Sequence, residues 1–204
     1  MTELMQGAQF AKSYVNTFLN CDIPSRLVKY RSGWNLDDRQ LPNPELYLTY
    51  EPIALDHWPT VITVAISTNR FDRLMLGAEG DPLYRVNYNM RTYVWVKTEG
   101  SEEVTLMRDR LTTVLRSAIL DRPSLNRHDD TYGCDAVIDE SSLTEEFSDL
   151  TLIKGDRVLA GAYLGYDLTI NEVIYREQIK DMTDEGGVNI DLETFNLRDP
   201  EEES

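Results

Sequence analysis

Between Tyr84 and Lys97, apolar and polar side chains alternate without a break. Tyr84, Val86, Tyr88, Met90, Thr92, Val94 and Val96 occupy one parity, and Arg85, Asn87, Asn89, Arg91, Tyr93, Trp95 and Lys97 the other. A period of two predicts a strand with one face on the core and the other polar or turned to a partner. The run exceeds the usual strand of about five or six residues, so it should bend, bulge or project beyond its sheet. Glu99 and Gly100 mark a turn, after which the period becomes helical. Val104, Met107, Leu111, Val114, Leu115 and Ala118 form the apolar stripe of this central helix. Ser101 is its expected cap, with Glu102 and Glu103 in the first turn, where the helix dipole favours acids. Arg108, Thr112 and Arg116 share another face at i, i+4 spacing, and Pro123 ends the helix.

Upstream, Leu4, Met5, Ala8, Ala11, Tyr14, Val15, Phe18 and Leu19 recur at helical spacing, with Thr2 at the cap position. This N-terminal helix is expected to stop at Asn20, since Pro24 bars continuation. Over residues 21–60, Trp34, Pro42, Pro44, Pro52, Trp58 and Pro59 interrupt any long element, and only residues 46–50 have strand character. Residues 61–67 are apolar and β-branched, as in a strand buried on both faces. Residues 123–150 read as a loop with one short element around Ala136, Val137 and Ile138. Residues 151–154 and 158–176 supply further strands, with Leu164, Tyr166, Leu168 and Ile170 on the inward parity. From Asp181 the chain is acidic and carries Gly186-Gly187, after which Val188, Ile190 and Leu192 alternate with Asn189, Asp191 and Glu193. Two readings stand side by side here: a solvated tail, or a strand added to a neighbour's sheet edge. The sum predicts an α/β fold of the α+β type. Its mixed, mostly antiparallel sheet is flanked by an N-terminal helix and a central helix, in one domain over 1–179 with an acidic extension over 180–204.

Charge narrows the partners. With 36 acidic against 20 basic residues the formal net charge is -16, which repels phosphate backbones and anionic membrane surfaces and leaves room only for a local basic patch. Cys21 and Cys134 are too few for a disulfide framework and are expected as partly buried thiols in a reducing compartment. The opening residues lack a signal peptide's basic and apolar regions, and no run approaches the roughly 20 apolar residues of a membrane span.

Catalytic marks are sparse. Residues 77–80 lack the lysine and spacing of a phosphate loop, and Gly161-Ala162-Tyr163-Leu164-Gly165 has no nucleophile at its centre. His57, between Asp56 and Trp58, reads as a packed or capping residue. His128-Asp129-Asp130 has the donor chemistry of a hard-metal or acid/base cluster, the basis for a metal-dependent hydrolase as an alternative. Adjacent residues rarely converge on one ion without distant ligands, however, and with no spaced ligand motif beside them a solvated polar loop is the better reading. Asp37-Asp38, Glu145-Glu146 and the glutamates at 201–203 read as solvated surface. No catalytic residue, metal or cofactor is therefore expected.

What remains points to contact surfaces. Arg108, Arg110 and Arg116, with Arg122 just beyond, are the densest basic feature. They lack the aromatic interleaving of a nucleic-acid stripe but suit carboxylates on another subunit. Arg91, Tyr93 and Trp95, on the polar parity of the long strand, are contact candidates unless a helix covers them. With Val188, Ile190 and Leu192 these residues make up the expected subunit interface.

The strand from Tyr84-Arg85-Val86-Asn87-Tyr88 through Tyr93-Val94-Trp95-Val96, running into the helix Arg108-Asp109-Arg110-Leu111, resembles the tail terminator family of long-tailed bacteriophages. In that family such a strand leads into an R-D-R-L helix preceded by an amphipathic N-terminal helix, and the strand at 164–175 is similar to the one that completes the sheet. The resemblance spans about half the chain. It implies a non-enzymatic virion protein made in the host cytoplasm, whose homo-oligomeric ring, a hexamer, ends tail-tube growth. Its partners would be the tail tube protein and a neck or head-completion protein, with no membrane. DNA would pass through the lumen without sequence-specific binding, and an acidic lining would let it slide. The chain departs from the family in its Pro-rich 21–60 region and its acidic tail, which leaves the neck partner and the tail's role open. Alternatives are another neck component such as a head–tail connector adaptor, the hydrolase above, or a small regulatory domain with a ligand pocket.

Overall fold

The computed structural model describes residues 7–52, 54–76, 82–125, 136–148, 151–153 and 157–173. The alternating run folds as predicted, into one of three strands of 17 residues. In chain order the elements are α1 (Gly7–Trp34), β1 (Leu46–Leu48), β2 (Thr60–Leu76), β3 (Pro82–Thr98), α2 (Ser101–Asp121), β4 (Ala136–Phe147), β5 (Thr151–Ile153) and β6 (Arg157–Val173). They build one sheet in the order β1-β2-β3-β6-β4, with β5 paired to the start of β6. Only β1 and β2 run parallel, so the fold is α+β with a mixed, mostly antiparallel sheet. Among the described residues no helix is long and apolar enough to cross a membrane.

β3 and β6 pair without interruption from Leu83↔Val173 to Thr98↔Val158. The irregularity expected of β3 lies instead in its other neighbour, because β2 shifts register against it between Ala65 and Ser67, Thr68 and Arg70, and Arg73 and Met75. Residues 61–64 of β2 are buried on both faces as predicted, but Ile66 and Ser67, expected to be buried with them, are exposed, because the strand runs on past the core as far as exposed Phe71 and beyond. Beyond Leu48↔Ile62 the outer edge of β2 has no strand beside it among the described residues.

The predicted inward parity is the core. Val86, Tyr88, Met90, Val94 and Val96 of β3 and Leu164, Tyr166, Leu168 and Ile170 of β6 join the buried stripes of both helices in one cluster. Both helices therefore flank the same face of the sheet. Three hydroxyls meet inside the core and satisfy one another: those of Thr92 and Tyr166 lie 2.8 Å apart, and Thr63 Oγ1 is 3.3 Å from Thr92 Oγ1. Burial raises the Tyr166 pKa, so the phenol stays neutral and available to that bond.

α1 corrects the sequence reading most. It does not stop at Asn20 but runs to Trp34 with Pro24 inside it. The reason is the spacing of Ala11, Val15, Leu19, Ile23 and Leu27, a buried i+4 row that continues straight across the proline. Pro24 and Asn20 both lie on the exposed side, so the Asn20 carbonyl that loses its helical donor is left to water rather than to the core. Pro24→Ala should restore that bond and stabilise the fold by about 1–3 kcal/mol, read as a higher urea midpoint with an unchanged slope.

Three smaller corrections have local causes. Ser101 is not the cap of α2: Gly100 takes that position with extended backbone and accepts the Val104 N–H at 3.0 Å, and no side chain caps the end. β4 is a strand of 12 residues, not a short element. From Asp139 to Glu146 it is mostly polar (Asp139, Glu140, Ser141, Ser142, Glu145, Glu146), as suits an edge strand, and so shows no apolar alternation. Cys21 is exposed on α1 rather than partly buried. Thr2, Cys134, His128, Asp129, Asp130 and the acidic extension lie outside the described residues.

The two helices are also clamped electrostatically. Arg26 of α1 pairs with Asp22 one turn back and reaches Asp121 at the end of α2, 2.6 Å away. The guanidinium holds the Asp121 carboxyl below its usual pKa. A folded-state pKa lowered in this way contributes stability that is present above the unfolded value and lost as pH falls through the folded one. Arg26→Met should return the Asp121 titration, followed by carboxyl NMR, to the ordinary carboxylate range.

Candidate functional site

The other face of the sheet carries no helix among the described residues. Strand alternation sends Arg85, Asn87, Asn89, Arg91, Tyr93, Trp95 and Lys97 there, opposite Asn171, Thr169, Asp167, Gly165, Tyr163, Gly161 and Leu159 of β6. Two zones follow from those pairings. Toward the β2–β3 connection lies an amide ladder: Asn69 Nδ2 donates to Asn87 Oδ1 at 3.2 Å, Asn87 Nδ2 to Thr169 Oγ1 at 3.2 Å, and Asn89 Nδ2 to Asp167 Oδ1 at 3.1 Å. Toward α2 the ladder gives way to rings and cations.

In this second zone the Tyr93 and Tyr163 rings pack 5.4 Å apart, and the Arg91 guanidinium lies 4.6 Å from the Tyr163 ring centre. Glu146, on the neighbouring strand β4, raises the pKa of the Tyr163 hydroxyl and keeps it protonated. Trp95 lies flat over Gly161: a β-carbon built there would come within 2.6 Å of the indole. The segment before β2 then folds back toward the same face. Its Trp58 ring sits 5.5 Å from the Lys97 ammonium. Leu55, Trp58, Tyr93, Trp95, Lys97 and Leu159 thereby line an open groove of about 500 Å³. Lys97 has no ion pair among the described residues.

Of the sequence-predicted contact residues, Arg91, Tyr93 and Trp95 are therefore brought together, half-buried, on the helix-free face. The α2 arginines are not part of this group, and each finds partners inside the subunit. Arg108 is buried at 8% exposure, donates to Asp109 Oδ1 and to the Ser148 carbonyl, both at 2.9 Å, and stacks over Phe147. Arg110 donates to the Gln40 carbonyl at 3.2 Å, and Arg116 to Glu145 Oε2 at 2.7 Å. They brace α2 against β4 and the α1–β1 connection. Val188, Ile190 and Leu192 lie outside the described residues.

The acid pairs are likewise occupied locally. Asp37 Oδ1 accepts the backbone N–H groups of Arg39 and Gln40, and Asp38 pairs with Arg31 at 2.8 Å. His57 is exposed and faces Glu45 at 3.2 Å, rather than being packed.

Sequence reasoning missed Trp58, Leu159, Gly161 and Tyr163. Trp58 gave no signal, since nothing in an irregular segment states where it folds back. The β6 residues did carry one: Gly161, Tyr163 and Gly165 share one parity, a small-large-small pattern that leaves room for side chains of the next strand. What the surface offers is contact chemistry, with flat rings, a guanidinium and an ammonium beside a groove. Compared against family models and against curated proteins, the chain matches none.

Proposed function

We propose that this protein is a structural virion subunit, a tail terminator or closely related head–tail joining protein, whose copies form a ring on the end of a tail tube. The observation that carries the reading is the helix-free sheet face on which Arg91, Tyr93, Trp95 and Tyr163 stand together. Aromatic and arginine side chains are the residue types that dominate association energy when a second surface dries them. The resemblance of β3 and the Arg108-Asp109-Arg110-Leu111 helix to the tail terminator family supplies the kind of assembly. The charge of -16 suits a ring through which DNA slides without sticking.

Electron microscopy of the purified chain mixed with tail tubes is the test. Rings seated on tube ends are expected, with tube length fixed once they bind. Tyr93→Ala should weaken ring assembly on tubes about thirtyfold, the loss of one interface hot spot of about 2 kcal/mol, without changing the circular dichroism spectrum. A chain that stays monomeric on tubes and never caps them overturns the proposal, while rings that bind only neck proteins would move it to an adaptor.

A further inference from the structure

The groove beside Trp95 needs an occupant, and the chain's own sequence contains a segment of matching chemistry. Leu55, Trp58, Tyr93, Trp95 and Leu159 make it apolar, and Lys97 puts a cation at its wall. Glu51 is the acid among its lining residues. The segment at 188–193 alternates Val188, Ile190 and Leu192 with Asn189, Asp191 and Glu193. Extended, it would present three aliphatic side chains on one side and its acids on the other. The stretch from Asp181 to Ser204 holds nine acidic residues against one basic, Arg198, so a cation without an ion pair is the complement it calls for.

Chain length favours a neighbouring copy's segment over the chain's own. The groove lies at the Lys97↔Leu159 end of the β3–β6 ladder, whereas β6 ends at Val173, opposite Leu83. Fourteen residues along the strand separate Leu159 from Val173, roughly 46 Å at the rise of a strand. Fifteen residues separate Val173 from Val188, a reach of about 50 Å even when pulled taut. To fill its own groove the chain would have to reverse direction at Val173 and run back fully stretched. To fill the groove of an adjacent copy it need not.

We infer that residues 188–193 of one copy dock in the Trp58–Trp95 groove of the next, with the aliphatic row against the indoles and an acid facing Lys97. The inference rests on the assembly reading in requiring copies to meet, and it names the contact that links them. Each subunit would then hold one neighbour's segment and extend its own to another, a head-to-tail relation of the kind that closes into rings.

The test uses the full chain with a photo-crosslinking amino acid in place of Ile190, mixed in nitrogen-14 and nitrogen-15 forms. Irradiation on tail tubes followed by mass spectrometry should join the 188–193 peptide to peptides containing residues 54–59 or 93–97, in mixed-isotope pairs. Lys97→Glu should cut that yield about two- to fivefold, as for one solvent-exposed ion pair. Same-isotope pairs alone would mean docking within one chain, and cross-links to other surfaces would mean a different site; either result overturns the inference. If rings form on tubes and the cross-links still miss the groove, only this inference fails. If no rings form and no cross-links join two copies, the assembly reading fails with it.

Discussion

Gly161→Val should lower stability by about 3 kcal/mol, the upper end of what overpacking costs, and lower the melting temperature by roughly 6–12 °C. The position has no room for a β-carbon, since the Trp95 indole closes to 2.6 Å. The indole cannot give way easily, because it is a rigid ring on the same wall of the groove as Tyr93 and Leu159. Moving it would open the wall, so the variant should also shift tryptophan emission to the red and weaken ring formation. The decisive check is the coupling: in a Trp95→Val background the same Gly161→Val change should cost little. Equal costs in both backgrounds would place the damage in the strand rather than at the ring.

Leu27→Ala should cost about 3 kcal/mol, within the usual range for a buried leucine, measured by denaturant unfolding. Leu27 is fully buried in the main cluster although it lies beyond a proline inside its helix. If the helix past Pro24 were held only by its neighbours in sequence, truncating Leu27 would barely matter. The large expected effect and the gain expected from Pro24→Ala express one balance. Burial of Ile23 and Leu27 outweighs a backbone penalty that falls on the solvent side. A loss below about 1 kcal/mol would show the segment to be anchored elsewhere.

Much of the architecture could be read from residue order because β3, α2 and the inward row of β6 each keep one strict period over many residues. Where the reading failed, a local rule was overruled by something distant or not apolar. Pro24 is a sound stop signal, yet the i+4 row on the opposite side of α1 continues past it. Polar residues hide β4, which is held by backbone pairing to β6 and by the Ser142 hydroxyl accepting the Asp167 N–H at 2.8 Å. For the site, parity alone placed Arg91, Tyr93 and Trp95 together. Which face the helices would cover was not readable, since amphipathic helices state that they need a partner but not which side of a sheet supplies it. The arginines of α2 show the converse: their spacing is visible, but the Ser148 and Gln40 carbonyls and the Glu145 carboxylate that accept their hydrogen bonds are 29 to 70 residues away in sequence.

The stepped register of β2 bears on how the chain stays apart from its own copies. A long, flat, unguarded margin would let any extended chain zip on, and a crowded pool of newly made copies would grow into fibres. Each extra residue twists and breaks the regular row of donors and acceptors that an intruding strand must match. The margin is thus a poor template, and copies held together at high concentration should stay apart along this rim.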